Sequence, residues 1–446
     1  MTTAPHGASA CRASHAHALA AAHFPDSGSE LVVGGFTASD LAGRFGTPLY
    51  CYDAAILQRQ LSRLRGALDT RFDVHFSVKS NPNSEILKVF VAMGAGLEVA
   101  SAAEYARARH AGAPPERILF AGPAKTDDEL RYVTRGGIGE IHVESLAEIT
   151  RLSAIAAQER RDLSVALRIN PAMQAEGGAM RMGGRAVQFG IDEAEMDEAA
   201  RQVLSCERLR LTGLHFFAGT QILDAATVLR QWRHAIDVAG RFSKSLGRPL
   251  KTLDLGGGLG IPYFAGEAEL DLQILSDGAR EISASMKADS GLADTRMVIE
   301  PGRFLSGPAG IYLSRVINVK VSGEETFVIT DGGMHHHLAA SGNLGQVIKR
   351  DYPILVANRF SQEPTAAVTI VGPLCTPLDT YGRRTPLAAP RVGDLIAVLQ
   401  SGAYGLTASP NGFLSHPMPA EVLLREGSAT QIRPRGTFEQ PITQLP

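Results

Sequence analysis

A lysine at the end of an apolar run is the first residue whose position suggests chemistry. Lys79 closes the segment 74–79, in which apolar side chains alternate with His75 and Ser77. A lysine amine can form a Schiff base with an aldehyde when its surroundings lower its pKa. Because such lysines are uncommon, an ordinary surface lysine at a strand end is the alternative.

Three consecutive glycines form a second candidate. Gly256, Gly257 and Gly258 directly follow another apolar run, where backbone N–H groups can close around a phosphate. The run does not match the dinucleotide fingerprint G-x-G-x-x-G, because its last position is Ile261, and it does not match a Walker loop. A nucleotide-binding fold is therefore disfavoured, and a turn without a ligand is the alternative.

A carboxylate and an arginine follow a third apolar run, in Glu300-Pro301-Gly302-Arg303. A buried Glu300 would need a partner to stay ionised, and a protonated heterocyclic nitrogen would serve. Arg303 could bind a phosphate or a carboxylate. A purely structural Glu–Arg pair is the alternative.

Two segments further along the chain also contain reactive side chains. His335, His336 and His337 are adjacent, and side chains alternate along a strand, so the three cannot all face one ion. We therefore expect a polar loop there and no metal site. Cys375, in the segment 372–375, could donate a proton or simply pack.

These residues need a scaffold that brings strand ends together. Short apolar runs alternate with helical patterns between about residues 48 and 303. The predicted strands are 72–79, 96–100, 117–121, 139–143, 164–170, 211–217, 252–256 and 297–301. The predicted helices are 85–93, 103–110, 127–134, 145–158, 193–204, 225–245 and 270–286. This alternation favours an α/β fold with a (β/α)₈ TIM barrel, and a doubly wound open sheet is the alternative.

The pattern changes on both sides of the predicted barrel. After residue 303, strand-like runs follow one another without long helices, which indicates a C-terminal, mainly β domain. The sequence predicts a disordered tail over 1–29, a segment 30–53 that contributes to the β domain, a barrel over 54–305 and the β domain over 306–446.

Composition excludes several classes of function. A net charge of −2 gives no electrostatic basis for binding nucleic acid or an anionic membrane. No apolar run approaches the roughly 18 residues that a membrane helix needs. The four cysteines are scattered without pairing or metal-binding spacing, which favours a reducing compartment. We therefore expect a cytoplasmic protein.

Taken together, these segments resemble the fold-type III decarboxylases, the family of diaminopimelate, ornithine and arginine decarboxylases, over roughly residues 31–426. The resemblance implies an alanine-racemase-like barrel with a β domain, and pyridoxal 5′-phosphate as the cofactor. Lys79 would bind the cofactor aldehyde, and Glu300 would pair with the pyridine nitrogen. Residues implied to hold the phosphate are Thr220, Gly256, Gly257, Gly258, Gly302, Arg303 and Tyr404.

The resemblance assigns three more positions and shows three departures. Glu98 and Arg168 match positions near the cofactor ring, and Cys375 matches a cysteine that the family presents across a dimer interface into the neighbouring active site. Phe217 stands where the family stacks a histidine on the cofactor; a phenyl ring can stack but cannot exchange protons. The two other departures concern the distal end of the substrate, where diaminopimelate decarboxylases carry a glutamate and an arginine and this chain has Thr376 and Ala339.

The expected activity is α-decarboxylation of an amino acid by a homodimer with shared active sites. The segments 334–337, 372–377 and 403–406 are most similar to carrier-protein glutamyl decarboxylases and to exosortase-associated decarboxylases, so the substrate is either a small amino acid or an aminoacyl carrier protein. Diaminopimelate decarboxylation and amino-acid racemisation are alternatives. Glu300 argues against a racemase, because racemases of this fold place an arginine at the pyridine nitrogen. A non-enzymatic cofactor carrier and a regulator without catalysis are also considered, and Lys79 and the β domain argue against them.

Overall fold

The structure, a computed structural model, describes residues 14–171, 180–181, 187–217, 219–344, 346 and 348–443. Eight parallel strands form a barrel: Phe72–Ser77, Gly96–Val99, Ile118–Phe120, Glu140–Val143, Leu163–Asn170, Leu209–Phe216, Thr252–Asp254 and Arg296–Ile299. Each strand pairs with the next along the chain, and the eighth returns to the first, with Met297 opposite Phe72. This closure confirms the predicted barrel and excludes an open doubly wound sheet, whose edge strands would stay unpaired.

Eight helices cover the outside of the barrel: Ala54–Ala67, Ser84–Ala92, Ala102–His110, Asp127–Arg135, Leu146–Glu159, Met196–Ser205, Ala225–Leu246 and Leu272–Ala288. Seven of them overlap the predicted helices. The helix Ala54–Ala67 was not predicted; it precedes the first strand and packs between the second and last helices of the ring. The chain leaves the eighth strand for the β domain through the short helix Arg303–Ser306, so Ala54–Ala67 supplies the eighth long helix of the ring. Among the described residues, no helix is long and apolar enough to cross a membrane.

The mainly β region is built around one long strand, Gly310–Ser322, which pairs with neighbours on both sides. The other strands are Leu49–Asp53, Glu325–Thr330, Ile354–Val356, Ala366–Val371, Thr380–Leu387, Leu395–Val398, Ala420–Arg425 and Ser428–Arg433. Leu49–Asp53 lies between Gly310–Ser322 and Ala420–Arg425, so the segment before the barrel contributes a central strand to this sheet. We propose the domain division at residues 53/54 and 305/306.

The described part of the predicted N-terminal tail is ordered, so the expectation of disorder is wrong for residues 14–29. A helix covers His15–His23, capped by the Ser14 side chain, and its Leu19 and Ala20 are buried. His17 Nε2 lies 3.0 Å from the carbonyl oxygen of Phe360. The segment was misjudged because its apolar pattern is weak and the helix is held by these contacts. Residues 1–13 of the predicted tail, with Cys11, lie outside the described residues.

Smaller elements complete the chain near the site. A short hairpin joins Val32–Val33 to Phe36–Thr37 and leads into the helix Ala38–Phe45. At the mouth of the barrel, Ile191–Asp192 pairs in parallel with the end of the fifth strand, and Gly219–Thr220 pairs with Met180–Arg181. The carboxyl ends of the barrel strands therefore face these loops, and this is where barrel enzymes place their reacting groups.

Candidate active site

Lys79 lies in a single 3₁₀ turn directly after the first barrel strand, at its carboxyl end. Its Nζ donates to both carboxylate oxygens of Glu98, at 3.0 and 2.9 Å, and Ser77 Oγ donates to the same carboxylate at 2.6 Å. The Lys79 side chain is 44% exposed, whereas that of Glu98 is 1% exposed. The strand prediction for 72–79 was therefore right in position, but it ended two residues too late.

The pKa of Lys79 is governed by its neighbours. Burial alone would lower it, but the negative charges of Glu98 and Glu300, together with Tyr404, raise it above the usual value for lysine. An amine attacks an aldehyde only when it is neutral. The negative charge of Glu98 thus keeps on Lys79 the proton that this amine must lose before it can react.

Lys79 opens into a cavity of about 390 Å³ between the barrel mouth and the β domain. Its lining residues are Lys79, Phe217, Thr220, Gln221, Tyr263, Phe264, Arg303, Ala339, Leu344, Gln346, Tyr352, Tyr404 and Ala408. The structure therefore brings together around one space five of the residues chosen from sequence: Lys79, Phe217, Thr220, Arg303 and Tyr404. Among the described lining residues none is acidic, and only Lys79 and Arg303 carry a charge.

Arg303 is held at the start of the short helix that follows the eighth strand. Its Nη1 donates to the Tyr263 hydroxyl at 2.8 Å, and its guanidinium lies 4.7 Å from the centre of the Tyr404 ring. Its Nε is buried and has no hydrogen-bond partner among the described residues. A buried guanidinium N–H without an acceptor is a position that a phosphate or carboxylate oxygen would satisfy.

The glycine run forms a tight loop after the seventh strand. Gly256 and Gly258 have φ angles of +70° and +92°, which strongly favour glycine. A Cβ on Gly257 would lie 2.4 Å from the backbone oxygen of Glu300, and one on Gly302 would lie 2.8 Å from Cβ of Ser80. Side chains are thus excluded where the loop after the eighth strand approaches the loops after the seventh and first strands.

Glu300 is buried at the inner edge of the site. Its Oε2 lies 3.5 Å from His215 Nε2, and its Oε1 has no hydrogen-bond partner among the described residues. Burial would raise the pKa of Glu300, but His215 and Lys79 lower it below its usual range. Glu300 therefore presents an ionised carboxylate that can accept a further hydrogen bond.

Two other predicted residues lie away from the cavity lining. Arg168, near the end of the fifth strand, donates to Glu144 at 2.7 Å and stacks on Phe189. Cys375 is exposed, in the loop between Ala366–Val371 and Thr380–Leu387. Their roles at the cofactor ring and across a dimer interface stay predictions.

The histidine segment is not the polar loop expected from sequence. His335, His336 and His337 lie in a turn and are at most 2% exposed. The ring of His335 packs against His336 at 3.7 Å between centroids, and His337 Nε2 lies 3.0 Å from Ser401 Oγ. Burial lowers the pKa of His335 and of His337 to about 3, so both are neutral and pack as aromatic rings.

Sequence reasoning missed His142, His215 and Asp254, which lie behind Glu300 inside the barrel. Each follows the alternation that points every second side chain of a strand inward. That alternation was the available signal, since it is the same pattern in which His75 and Ser77 alternate with apolar residues.

The site fits pyridoxal phosphate by its own donors and acceptors. The unpartnered Nε of Arg303 and the side-chain-free loops suit a phosphate, and the unpartnered Oε1 of Glu300 suits a protonated ring nitrogen. The amine of Lys79, exposed to the same cavity, suits the aldehyde.

Comparison with known proteins agrees with this fit. Residues 54–307 match the family model for the pyridoxal-binding domain of pyridoxal-dependent decarboxylases. The chain is 38% identical over 413 residues to L-glutamyl-[BtrI acyl-carrier protein] decarboxylase of Niallia circulans, covering 91% of this chain and 95% of that one. It is 33% identical to diaminopimelate decarboxylase of Zymomonas mobilis, covering 90% and 93%.

The solved structures show the same relationship in three dimensions. The crystal structure of diaminopimelate decarboxylase from M. jannaschii matches with a TM-score of 0.85 and 26% identity, covering 92% of this chain and 95% of that one. The structure of AQ1208 from Aquifex aeolicus matches with a TM-score of 0.82 and 29% identity, covering 95% and 98%. The chain belongs to the pyridoxal-dependent decarboxylases: it is an enzyme that uses pyridoxal phosphate to release the carboxylate of an amino acid as carbon dioxide.

Proposed function

We propose that the substrate is an amino acid whose distal end carries no free charge. The observation that carries this proposal is the lining of the Lys79 cavity, in which Lys79 and Arg303 are the only charged side chains among the described residues. Both are assigned to the cofactor, so a distal ammonium or carboxylate group would be left without a partner. Ala339, where the resemblance places an arginine in diaminopimelate decarboxylases, lines this same space.

An acidic amino acid linked through its side chain to a carrier protein meets this requirement, because a thioester is uncharged. The relative from Niallia circulans is named for a glutamyl group on an acyl carrier protein. We therefore propose a glutamyl or similar group on an acyl carrier protein as the substrate. Free diaminopimelate is the second candidate, since a relative named for it is 33% identical to this chain.

Each residue of the site has one proposed task. Lys79 binds the cofactor aldehyde, Glu300 keeps the ring nitrogen protonated, and Phe217 stacks on the ring. The phosphate is held by Thr220, Gly256, Gly257, Gly258, Gly302, Arg303 and Tyr404. When bound, pyridoxal phosphate supplies the sink for the electron pair left by the departing carboxylate. Lys79 Nζ or Cys375 Sγ donates the proton that the α-carbon of the product receives.

We propose that the protein acts as a homodimer in the cytoplasm. Cys375 is exposed and lies outside the lining of its own cavity, which supports a role in the neighbouring active site. Mixing Lys79→Ala chains with Cys375→Ala chains should give more activity than either variant alone, because one of the two mixed sites has both residues intact. Failure to recover activity from exchanged subunits would contradict a shared site.

A decarboxylation assay tests the substrate. Carbon dioxide release is measured with glutamate loaded on a carrier protein, with free glutamate, ornithine, lysine, arginine and diaminopimelate, and with the Lys79→Ala variant as the blank. We expect release from the loaded amino acid and at most a small fraction of that rate from free charged ones. Faster release from free diaminopimelate would overturn the proposal in favour of the second candidate.

A matched pair of variants tests the cavity directly. Ala339→Arg should lower kcat/KM for the loaded substrate more than Ala339→Leu, because both fill the space but only arginine introduces an unpartnered cation. Cofactor absorbance should persist in both. Equal losses would show that only the volume at Ala339 matters.

A further inference from the structure

A chain of buried polar groups runs from Glu300 into the barrel interior. Glu300 Oε2 lies 3.5 Å from His215 Nε2, the two Nδ1 atoms of His215 and His142 lie 2.9 Å apart, and His142 Nε2 lies 3.0 Å from Glu140 Oε1. We call these four residues the interior chain. Each is at most 5% exposed. They come from the fourth, sixth and eighth strands, so the closed barrel fixes their order.

The inner end of the interior chain is a carboxylate. Glu140 Oε2 accepts the Thr252 hydroxyl at 3.0 Å and lies 2.7 Å from the Thr212 hydroxyl. Burial would raise the pKa of Glu140, but His142 and these hydroxyls lower it. Glu140 is therefore an ionised carboxylate that accepts a hydrogen bond from Nε2 of His142.

The contact between Glu300 and His215 is the longest in the interior chain. Glu300 Oε2 lies 3.5 Å from His215 Nε2, and this Nε2 has no hydrogen-bond partner among the described residues. Burial lowers the pKa of His215 to about 4, so at neutral pH its ring carries no positive charge that could pair with Glu300.

Asp254 approaches Glu300 from the end of the seventh strand. Its Oδ1 accepts the Gly256 N–H at 2.8 Å, and one ligand-type atom each from His142, His215, Asp254 and Glu300 all lie within 4.8 Å of one another. Two buried carboxyl groups this close cannot both ionise, so they share one proton. The positive charge of Lys79 favours the ionised form of Glu300, whereas burial and the negative charge of Glu300 raise the pKa of Asp254. The shared proton is therefore carried by Asp254.

The geometry points to Asp254 as a positioning residue: its neutral carboxyl group donates to Glu300, and the carboxylate of Glu300 is left with room for one further donor, which the ring N–H of the cofactor supplies. This inference rests on the proposed role of Glu300. A buried metal ion on the same four residues is the competing account, but the two histidine Nδ1 atoms contact each other and so are not directed at a common ion.

The test compares three variants of the full-length enzyme loaded with cofactor labelled with ¹⁵N in the ring. Asp254→Ala should lower kcat about tenfold, as expected for the loss of one hydrogen bond to a buried charge, and should reduce ring-nitrogen protonation in the NMR spectrum. Asp254→Asn should recover most of that loss, because the amide donates as the neutral acid does. Glu300→Gln should deprotonate the ring nitrogen and lower kcat by more than Asp254→Ala.

The outcomes separate the two proposals. If Glu300→Gln changes neither ring protonation nor kcat, the proposed role of Glu300 fails. If Glu300→Gln behaves as expected but Asp254→Asn is as impaired as Asp254→Ala, the role of Asp254 alone fails. A stoichiometric bound metal, measured by elemental analysis of the apoenzyme, would also overturn it.

A measurement without cofactor covers variants that fold poorly. The infrared spectrum of the wild-type apoenzyme should contain a protonated-carboxyl band that disappears in Asp254→Asn, because that variant removes the carboxyl group that carries the shared proton. An unchanged set of protonated-carboxyl bands would contradict the shared proton.

Discussion

Replacing Glu98 by glutamine should make Lys79 react with the cofactor at lower pH. Lys79 Nζ lies 2.9 and 3.0 Å from the Glu98 oxygens. Opposite charges at about 3 Å attract by about 5 kcal/mol at an effective dielectric constant of about 20. Because the Lys79 side chain is 44% exposed, solvent screening reduces this attraction. We take about 2 kcal/mol, which is about 1.5 pKa units and about 30-fold more neutral amine.

The assay follows cofactor attachment to the apoenzyme by absorbance over a range of pH. Below the pKa of Lys79, the attachment rate is proportional to the fraction of neutral amine, so it rises with pH. Glu98→Gln lowers that pKa, and its rate profile should shift to lower pH by about 1.5 units. Glutamine can still accept the Ser77 hydroxyl, so the loop geometry should be retained.

A surface ion pair on a neighbouring helix provides the control. Glu85 pairs with Lys88 at 2.7 Å, and Glu85→Gln makes the same chemical change away from the cavity. Its profile should coincide with that of the wild type. Slower attachment of Glu98→Gln at every pH, or an unshifted profile, would refute the idea that Glu98 withholds the reactive form of Lys79.

Three further predictions concern stability and the phosphate loop. Lys125→Met should destabilise the protein by about 3–5 kcal/mol in urea unfolding, because it leaves the buried Glu148 carboxylate unpaired; replacing Glu148 by Leu as well should recover part of that loss. Gly257→Ala should weaken cofactor affinity in a fluorescence titration, since its Cβ would lie 2.4 Å from a backbone oxygen, whereas Gly66→Ala, with no atom within 4 Å, should not. Burial would raise the pKa of Asp73, but hydrogen bonds to His75 and Arg117 outweigh burial and lower it below its usual value. The contribution of ionised Asp73 to protein stability is therefore complete above the unfolded-state pKa and is lost as pH falls. Asp73→Asn should therefore flatten the fall in unfolding free energy below about pH 4.

The barrel strands were predictable because short, largely apolar runs alternate with helical patterns along this part of the chain. The fifth strand, Leu163–Asn170, differs from its prediction by one residue. The helix Ala54–Ala67 was missed although Asp53 caps it and Leu57, Leu61 and Leu64 are buried along one face. The cap and the apolar face were visible in the sequence. The position of this helix in the barrel, however, depends on where the chain leaves the eighth strand, which only the three-dimensional structure shows.

The site was predictable where a residue type implies its own chemistry. Lys79, Thr220 and Arg303 line one cavity because loops at the carboxyl ends of parallel strands converge. His215 and Asp254 could not be assigned from the sequence, since an inward polar residue acquires a function only through the partner it meets across the barrel. The prediction of a polar loop at the histidine segment was wrong for a related reason: burial makes imidazole neutral, and a neutral ring packs like other aromatic side chains.

The proposal of an uncharged distal end rests on electrostatics as much as on resemblance. A charged group in a mostly apolar cavity costs several kcal/mol unless a partner of opposite charge accompanies it. In the proposed assignment Arg303 binds the phosphate and Lys79 must be neutral to bind the aldehyde, so neither can serve a distal carboxylate. Thr376, which stands where the resemblance places a glutamate, offers only a hydroxyl group to a distal ammonium. Esterification to a thiol removes the distal charge altogether, and so a tethered substrate needs no compensating side chain in this cavity.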